Sequence, residues 1–335
     1  MNLDKFNELI NSSTNIVIIQ ADNPDGDSLS SSLALEALLG DIGKMPTMYC
    51  GVDIPTYLRH IKGWDRVVRG LPKQFDLSII VDTSSISLLE SLTKSGEVNW
   101  LKTKACIIID HHATDATIDF ATLVISEPSA STGELICTIA DQNTWKIELD
   151  CAEYLATSIL FDTLGLTTES VTSKTLLAMS KLLEKGVSLA KLEEKRRLSN
   201  KKSFDLVKYK AKLLGRIDLS IDERIATVDI PWSEIEKYSH EYNPSMLVMD
   251  EMRMISGVML AIAFKSYPNG KITAKIRTNL GVKIADKLAE HFGGGGHAYA
   301  AGFKVNNSKD LQQIKLECIN KAVDLLNSMD IDEVI

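Results

Sequence analysis

The residues of this sequence best suited to chemistry are aspartates and histidines that follow short apolar runs. The set comprises Asp25, Asp27, Asp82, Asp110, His111, His112 and Asp162. Ligands of open α/β sheets bind outside the carboxyl ends of the strands, so side chains that follow several strands would meet at one edge. Crowded carboxylates repel each other, and a bound cation is the usual compensation.

The chemistry of these donors indicates the kind of ion. Oxygen and imidazole donors without thiolate suit Mg, Mn, Fe or Zn, and imidazole favours a transition metal over Ca. Carboxylates shared by two ions about 3.5–4 Å apart would clamp the attacking and leaving oxygens of a phosphoryl displacement. Each residue alone has an ordinary interpretation as a turn residue, a helix cap or a loop histidine. Their joint occurrence after several runs favours a site.

The first half of the sequence alternates between predicted strands and helices. The runs at 15–20, 47–51, 77–81, 106–109 and 122–125 have the continuous hydrophobicity of strands buried on both faces of a parallel sheet. Helical spacing of apolar residues is found at 28–39, 131–141 and 151–161. This pattern predicts an α/β domain at 1–195 with a mostly parallel sheet flanked by helices.

The second half has a different texture. Residues 173–214 are rich in helix formers and charge, and we interpret 196–214 as a linker helix, with its basic stretch exposed to solvent rather than bound to nucleic acid. Strands are predicted at 216–220, 225–230, 259–264 and 272–276, and a last helix at 308–329. These elements predict a smaller C-terminal α/β domain at 215–335.

Composition limits the classes of function. The chain has 335 residues, 44% of them hydrophobic, and a net charge of −8. It lacks an apolar run long enough to span a bilayer, so we expect a cytosolic protein without a membrane partner. Its acidic balance disfavours binding of long duplex DNA. The five scattered cysteines indicate buried, reduced thiols.

Several motifs resemble those of a known family. Asn23-Pro-Asp-Gly-Asp27-Ser, Val81-Asp82-Thr, Ile109-Asp-His-His112 and Phe161-Asp-Thr163 are similar, in this order, to the four motifs of the DHH phosphoesterase superfamily. The stretch 129–134 resembles a family segment between the third and fourth motifs, and Gly293-Gly-Gly-Gly-His297 resembles the signature of the associated DHHA1 domain. The similarity covers nearly the whole chain. It points to the small bacterial proteins that degrade short oligoribonucleotides and dephosphorylate phosphoadenosine phosphate.

The resemblance implies a role for each candidate residue. It implies two divalent ions, commonly Mn with Mg as the alternative, and a pair of residues that assist catalysis. Asp110 would orient a histidine, and His112 would face the substrate phosphate. The implied metal ligands are Asp25, Asp27, Asp82, His111 and Asp162, with Asp82 bridging both ions.

The DHHA1 resemblance implies a substrate-binding site in the C-terminal domain. An arginine and the histidine of the glycine signature would hold the phosphate and base of a nucleotide. Backbone amides of successive glycines can also cradle an anion, although a glycine run alone is more often a loop or a helix cap. The implied residues are Arg277, Gly293, Gly294, Gly295, Gly296 and His297.

One position departs from the family pattern. Many members have a metal-binding histidine four residues before the first motif aspartate, and this sequence has Ala21 there. Gln20 and Asp22 flank it, and alternation along a strand leaves open whether either points into the site. One of the two ions is therefore expected to be completed by another ligand, bound weakly or absent.

We expect hydrolysis of short oligonucleotides from an end, or of one phosphate of a nucleoside 3′,5′-bisphosphate, by metal-activated hydroxide between the two domains. A linear or cyclic dinucleotide phosphodiesterase is the alternative enzyme. A catalytically weakened nucleotide-binding protein is the alternative of another class, and Ala21 is its only support. The oligomeric state is left open between a monomer and a homodimer.

Overall fold

A computed structural model describes residues 1–112, 116–306 and 310–329. The chain divides into two compact units, Met1–Lys201 and Lys202–Ile335. No helix among the described residues is long and apolar enough to cross a membrane.

The N-terminal unit is built on a five-stranded parallel sheet in the order β2-β1-β3-β4-β5. Strands β1, β3 and β4 are almost entirely buried, as their continuous hydrophobicity predicts. The strands are β1 Asn15–Ile19, β2 Met45–Tyr49, β3 Leu77–Val81, β4 Ala105–Ile109 and β5 Leu123–Ile125.

Helices cover both faces of this sheet. One face packs on a large apolar core with α1, α2, α5, α6 and α7, and the other packs on α3 and α4. The helices are α1 Leu3–Asn11, α2 Gly26–Asp41, α3 Glu90–Ser95, α4 Val98–Leu101, α5 Thr132–Gln142, α6 Leu149–Asp162, α7 Ser173–Glu184 and α8 Leu189–Ser199. The predicted fold class is confirmed for this unit.

Two glycines bring α2, α5 and α6 close together. A Cβ atom on Gly26, the first residue of α2, would fall 2.0 Å from the ring of Phe161 near the end of α6. A Cβ atom on Gly133 in α5 would fall 2.0 Å from the Ser158 hydroxyl of α6. These close approaches join the start of α2, the start of α5 and the end of α6 at one place.

The C-terminal unit contains a six-stranded mixed sheet in the order β10-β11-β9-β8-β7-β6. Strands β7 and β8 run parallel, and the other neighbours are antiparallel. The elements are α9 Phe204–Leu214, β6 Asp218–Ser220, β7 Ile225–Ile230, α10 Trp232–Tyr238, α11 Met249–Arg253, β8 Leu260–Ser266, β9 Lys271–Thr278, α12 Ala285–Glu290, β10 Gly295–His297, β11 Ala300–Asn306 and α13 Leu311–Asn327. This smaller α/β region also agrees with the predicted fold class.

The segment predicted as a linker helix divides differently in the structure. Residues 196–214 contain the end of α8 and the whole of α9, separated by residues 200–203. Leu206, Tyr209 and Leu213 of α9 are buried against β7 and β8, so this helix belongs to the core of the C-terminal unit. The start of the last helix, predicted at residue 308, lies outside the described residues.

Candidate active site

The carboxyl ends of β1, β3 and β4 lead to the predicted metal ligands of the N-terminal unit. Asp82 directly follows β3, and His111 comes two residues after β4. Asp27 lies in the first turn of α2, and Asp162 is the last residue of α6. The backbone at Asp82 has a φ of 61°, a left-handed conformation that is uncommon outside glycine and is often associated with functional sites.

The imidazole of His111 lies among three of these carboxylates. Its Nε2 atom is 2.9 Å from Asp162 Oδ2, 3.6 Å from Asp82 Oδ1 and 3.7 Å from Asp27 Oδ2. On the other side of the ring, Nδ1 lies 3.2 Å from the carbonyl oxygen of Ser129. A hydrogen on Nδ1 would donate to that carbonyl, which leaves Nε2 as the donor atom for a metal.

This arrangement fits a divalent cation. Nε2 of His111 is buried and makes no hydrogen bond of acceptable geometry with a described residue, although Asp162 is close. One candidate ligand group joins His111 to Asp27 and Asp162, and a second joins it to Asp82 and His112, with the ligand atoms of each group within 4.8 Å of one another. The two groups overlap at His111, whose Nε2 has one lone pair and would therefore bind one ion of either group.

Asp110 and His112 form a pair beside the second group. His112 Nδ1 is 2.7 Å from Asp110 Oδ1 and 3.9 Å from Asp82 Oδ1. The same Asp110 oxygen accepts a hydrogen bond from the backbone amide of His112 at 3.2 Å. Asp110 is buried, whereas the side chain of His112 is 39% exposed. Asp110 therefore orients a histidine that faces open space.

Asp25 caps α2. Its Oδ1 accepts from the backbone amide of Ser28, and the Ser28 side chain accepts from the amide of Asp25, so a capping box is present. The ordinary cap interpretation of Asp25 is therefore correct for one of its oxygens. Asp25 belongs to neither of the two ligand groups among the described residues. Its charge nevertheless contributes to the raised pKa of Asp82.

The pKa values reflect the crowding of these carboxylates. Burial and then the charge of Asp27 raise the pKa of Asp82 well above its usual range. Burial also raises the pKa of Asp27, followed by repulsion from Asp162. Asp25 as a whole residue is exposed, but its carboxyl group is surrounded by protein atoms. Desolvation of that group and the charge of Asp27 raise its pKa. A cation would relieve this repulsion.

The pKa values of His111 and Asp110 shift because of their charged neighbours. Burial lowers the pKa of His111, but the nearby carboxylate of Asp162 and the charge of Asp27 outweigh burial and raise it to about 9. Burial would raise the pKa of Asp110, but the hydrogen bond and charge of His112 lower it. A protonated His111 would place positive charge among these carboxylates, and binding of a divalent ion would displace its proton.

Three hydroxyl side chains support the acidic ligands, and the sequence interpretation missed them. Asp27 Oδ1 accepts from the hydroxyls of Ser158 at 2.5 Å and Ser31 at 2.9 Å, and its Oδ2 accepts from the amide of Thr132 at 2.8 Å. The Thr132 hydroxyl donates to Asp82 Oδ1 at 3.0 Å. Thr132 lies in the 129–134 stretch that resembles the family, and Ser31 lies four residues after Asp27 on one helix face.

The two residues that flank Ala21, Gln20 and Asp22, differ in their hydrogen bonds. Ala21 is buried. Asp22 is used elsewhere, since its Oδ2 accepts from the amide of Ser91 at 2.6 Å. Gln20 is fully buried, and neither atom of its amide has a hydrogen-bond partner among the described residues. The side-chain amide of Gln20 thus has no partner among the described residues, whereas one carboxylate oxygen of Asp22 is already used.

The predicted substrate residues of the C-terminal unit are brought to one sheet face. Arg277 on β9 pairs with Ala300 on β11, and Ala300 pairs with His297 on β10, so all three side chains share a face. His297 is exposed and Arg277 is half-buried. Burial, followed by the charge of Arg253 at the end of α11, lowers the pKa of Arg277.

The glycine run has mainly structural reasons to be glycine. Gly293 has a φ of 72°. A Cβ atom on Gly294 would lie 2.3 Å from the carbonyl oxygen of Gly302, and one on Gly296 would lie 2.5 Å from Cα of Ala301. Gly295 has no positive φ, and apart from its chain neighbours no described atom lies within 4 Å of where its Cβ would be, so its backbone would accept a side chain. Its role in binding an anion, like that of its neighbours, stays a prediction.

Comparisons with known proteins agree with this architecture. Residues 15–159 match the DHH family, N-terminal domain, and residues 237–328 match the DHHA1 domain. The bifunctional oligoribonuclease and PAP phosphatase NrnA of Thermus thermophilus is 27% identical over 286 residues, which cover 84% of this chain and 81% of that protein. The A-adding tRNA nucleotidyltransferase of Aquifex aeolicus is 24% identical over 87% of this chain but only 33% of its own length.

Solved structures show the same fold. An exopolyphosphatase-related protein from Bacteroides fragilis superimposes with a TM-score of 0.84 at 22% identity, over 96% of this chain and 95% of that one. RecJ from Thermus thermophilus in complex with Mg²⁺ superimposes with a TM-score of 0.51 at 15% identity, over 96% of this chain and 51% of that one.

Proposed function

For this chain, which belongs to the DHH/DHHA1 phosphoesterase superfamily, we propose metal-dependent hydrolysis of short oligonucleotides and of nucleoside 3′,5′-bisphosphates. The T. thermophilus relative named for oligoribonuclease and PAP phosphatase activity supports this choice of substrates. Divalent ions, Mn²⁺ in the first place and Mg²⁺ in the second, are the proposed cofactors.

The observation that carries the proposal is the environment of His111. Its Nε2 is buried, lacks a good hydrogen bond and faces the carboxylates of Asp27, Asp82 and Asp162 within 3.7 Å. A structural cluster would be expected to pair each buried charge with a fixed partner. Here three carboxylates converge on one imidazole nitrogen, which is more negative charge than that residue can neutralise.

The bound ions would activate water and stabilise negative charge on the phosphoryl oxygens. Asp27, Asp82, His111 and Asp162 would hold these ions, with Asp25 completing the set at the start of α2. Hydrogen bonds from Thr132 hold Asp27 and Asp82 in place before substrate binds. Such preorganisation lowers the cost of reaching the transition state.

The proposed role of His112 is to contact the phosphate. Its Nδ1 lies beside the Asp110 carboxylate at 2.7 Å, which favours an imidazole that carries a hydrogen on Nδ1. The lowered pKa of Asp110 keeps that residue ionised, so it would stabilise positive charge on His112 when Nε2 is also protonated. A protonated Nε2 would donate to a phosphoryl oxygen or to the leaving group.

Turnover of three substrates in Mn²⁺ tests the proposal: phosphoadenosine phosphate, a linear dinucleotide and a cyclic dinucleotide. We expect the first two to be hydrolysed with a kcat/KM well above that of the cyclic compound. A clear preference for the cyclic compound would instead identify a cyclic-dinucleotide phosphodiesterase. Tight nucleotide binding without hydrolysis of any of the three would identify a nucleotide-binding protein and refute the enzyme.

A further inference from the structure

One face of the C-terminal sheet is only partly covered. On the face that carries Ala261 and Ala263 of β8, helices α9, α10 and α11 pack over β7 and β8. The opposite face is covered by α12 and α13. On β9, alternate residues are half-buried on the first face and buried on the second. The β9–β11 part of the first face therefore remains accessible.

Strand register places Arg277, Lys275 and Lys265, with Arg253 beside them, on this side of the sheet, which also carries Lys271 and Lys304. Arg277 is opposite Ala261, Lys275 is opposite Ala263, and Lys265 is opposite Thr273, so the three side chains leave the sheet on the same side. Lys265 and Lys275 are diagonal neighbours, whose Cβ atoms lie about 7–8 Å apart in such a ladder. Arg253 of α11 completes the row beside Arg277.

None of these cations forms a salt bridge with a described residue. Lys265 donates to Asn243 Oδ1 at 2.5 Å, and Arg253 donates to Asn279 Oδ1 at 3.1 Å. Arg277 donates to the carbonyl oxygen of Ile276 at 2.9 Å. All of these acceptors are neutral.

Burial of unpaired positive charge is unfavourable. Lys265 is only 9% exposed, and lysine is almost never buried without a partner. Burial, followed by the charge of Lys275, lowers the pKa of Lys265 to about 8. Burial, followed by the charge of Arg277, lowers that of Lys275. An anion on this face would relieve the repulsion along the whole row.

The row is long enough for two anions. Lys275 and Arg277 are two residues apart on one strand, which separates them by about 6.8 Å. Small residues, Ala300 and Gly302 on β11, lie opposite them and leave the face open to a ligand. We propose that Lys275 and Lys265 form a second phosphate subsite beside Arg277, which takes the additional phosphate of an oligonucleotide or a nucleoside bisphosphate.

The choice of a nucleotide as the ligand of this subsite rests on the proposed function. With such a subsite, the affinity of the protein for a nucleotide would depend on how many phosphates the nucleotide carries. Arg277 and Arg253 would hold one phosphate, while Lys275 and Lys265 hold the next. Asn243 would position Lys265 through the hydrogen bond already described. A nucleotide with a single phosphate would leave the second pair of cations unneutralised and bind more weakly.

The test measures binding to the full-length, metal-loaded protein by calorimetry. The ligands are a dinucleotide whose internal linkage carries sulfur to slow hydrolysis, and the same compound with an added 5′- or 3′-terminal phosphate. One of the two terminal phosphates should tighten binding to the wild type about tenfold or more, as a charged hydrogen bond would. Lys275→Gln and Lys265→Gln should remove that gain, whereas Lys275→Arg should keep most of it.

Lys287→Gln is the matched control, because Lys287 is exposed on α12 over the opposite face. It should retain the whole gain, and circular dichroism should show that every variant is folded. A gain that persists in both Lys275→Gln and Lys265→Gln, or no gain at either end in the wild type, overturns the subsite. Failure of the proposed function would look different: the gain would be present, but the unmodified dinucleotide would not be hydrolysed.

Discussion

The two units differ in the sign of the charge that they cluster: carboxylates in the N-terminal unit, and lysines and arginines in the C-terminal unit. The N-terminal unit gathers Asp27, Asp82 and Asp162 around a single histidine, and no described lysine or arginine forms a salt bridge with them. The C-terminal unit gathers lysines and arginines on one sheet face, and no described carboxylate pairs with them there. Each cluster therefore carries an excess of charge of one sign, although the charge of Asp250 acts on Arg277.

The units also differ in how they support these charges. In the N-terminal unit, hydroxyl and amide donors fix each oxygen of Asp27, as expected where ligand geometry must be set before an ion binds. In the C-terminal unit, the long cationic side chains have one neutral acceptor each at most, which leaves them able to follow a flexible ligand. This difference suggests chemistry in the first unit and substrate affinity in the second.

The largest expected effect comes from Asp82→Ala. Asp82 belongs to one candidate ligand group, and its Oδ1 lies 3.6 Å from Nε2 of His111, which both groups contain, so we expect its loss to disturb both. We expect kcat/KM to fall on the order of 10³-fold or more, equal to about 4 kcal/mol, together with metal content. The exposed Asp65 provides a control variant, Asp65→Ala, that should retain both. Full activity in Asp82→Ala would remove this residue from the site.

Arg277→Ala should have the next largest effect, and it should distinguish the roles of the two units most clearly. A lost charged hydrogen bond costs about 1.5–3 kcal/mol, so KM for nucleotides should rise roughly 10- to 150-fold. Metal content should not change, because every predicted ligand precedes residue 163 in the other unit. Hydrolysis of a minimal aryl phosphate ester should be nearly spared. Equal losses on the ester and the nucleotide would contradict the division of roles.

Two adjacent serines test the support of Asp27. The Ser31 hydroxyl donates to Asp27 Oδ1 at 2.9 Å, whereas the Ser32 hydroxyl donates to the backbone carbonyl of Ser28 at 2.9 Å. Ser31→Ala should weaken Mn²⁺ binding about tenfold, the lower end for residues that orient a metal ligand. Ser32→Ala, equally buried, should leave Mn²⁺ affinity close to the wild type. Calorimetric titration of Mn²⁺ compares them, and equal affinities would show that Ser31 has only a packing role.

The smallest expected effect concerns Ala21→His. If the absent histidine weakens one ion, the substitution should lower the Mn²⁺ concentration needed for half-maximal activity. The gain is limited because Ala21 is 6% exposed, and a larger side chain must displace its neighbours. Wild-type protein that already binds two ions tightly, together with no change in the variant, would show that this position is not a weakness.

The sequence predicted the fold and the convergence of the main candidate side chains because the hydrophobic pattern fixes where buried strands end. The bounds predicted for β3 and β7, residues 77–81 and 225–230, agree with the structure. Since β3 and β4 are parallel neighbours, Asp82 and His111 must lie at one edge of the sheet. The resemblance to known motifs then distinguished these residues from ordinary caps and loop residues.

Other parts of the site depend on packing that no short motif records. Ser158 lies within the apolar run of α6, and its contact with Asp27 follows only from how closely α2 and α5 approach α6, at Gly26 and Gly133 respectively. Likewise, Lys265 joins Lys275 only through the register of β8 and β9. A one-residue shift of that register would place Lys265 on the other face.

Metal dependence tests the central claim most directly. The protein is incubated with excess chelator, freed of metal and assayed with phosphoadenosine phosphate before and after each divalent ion is added back. The convergence of Asp27, Asp82 and Asp162 on Nε2 of His111 predicts that hydrolysis is lost with the metal and is restored by Mn²⁺ better than by Ca²⁺. Undiminished hydrolysis in excess chelator, with metal analysis at zero, would contradict the proposed mechanism.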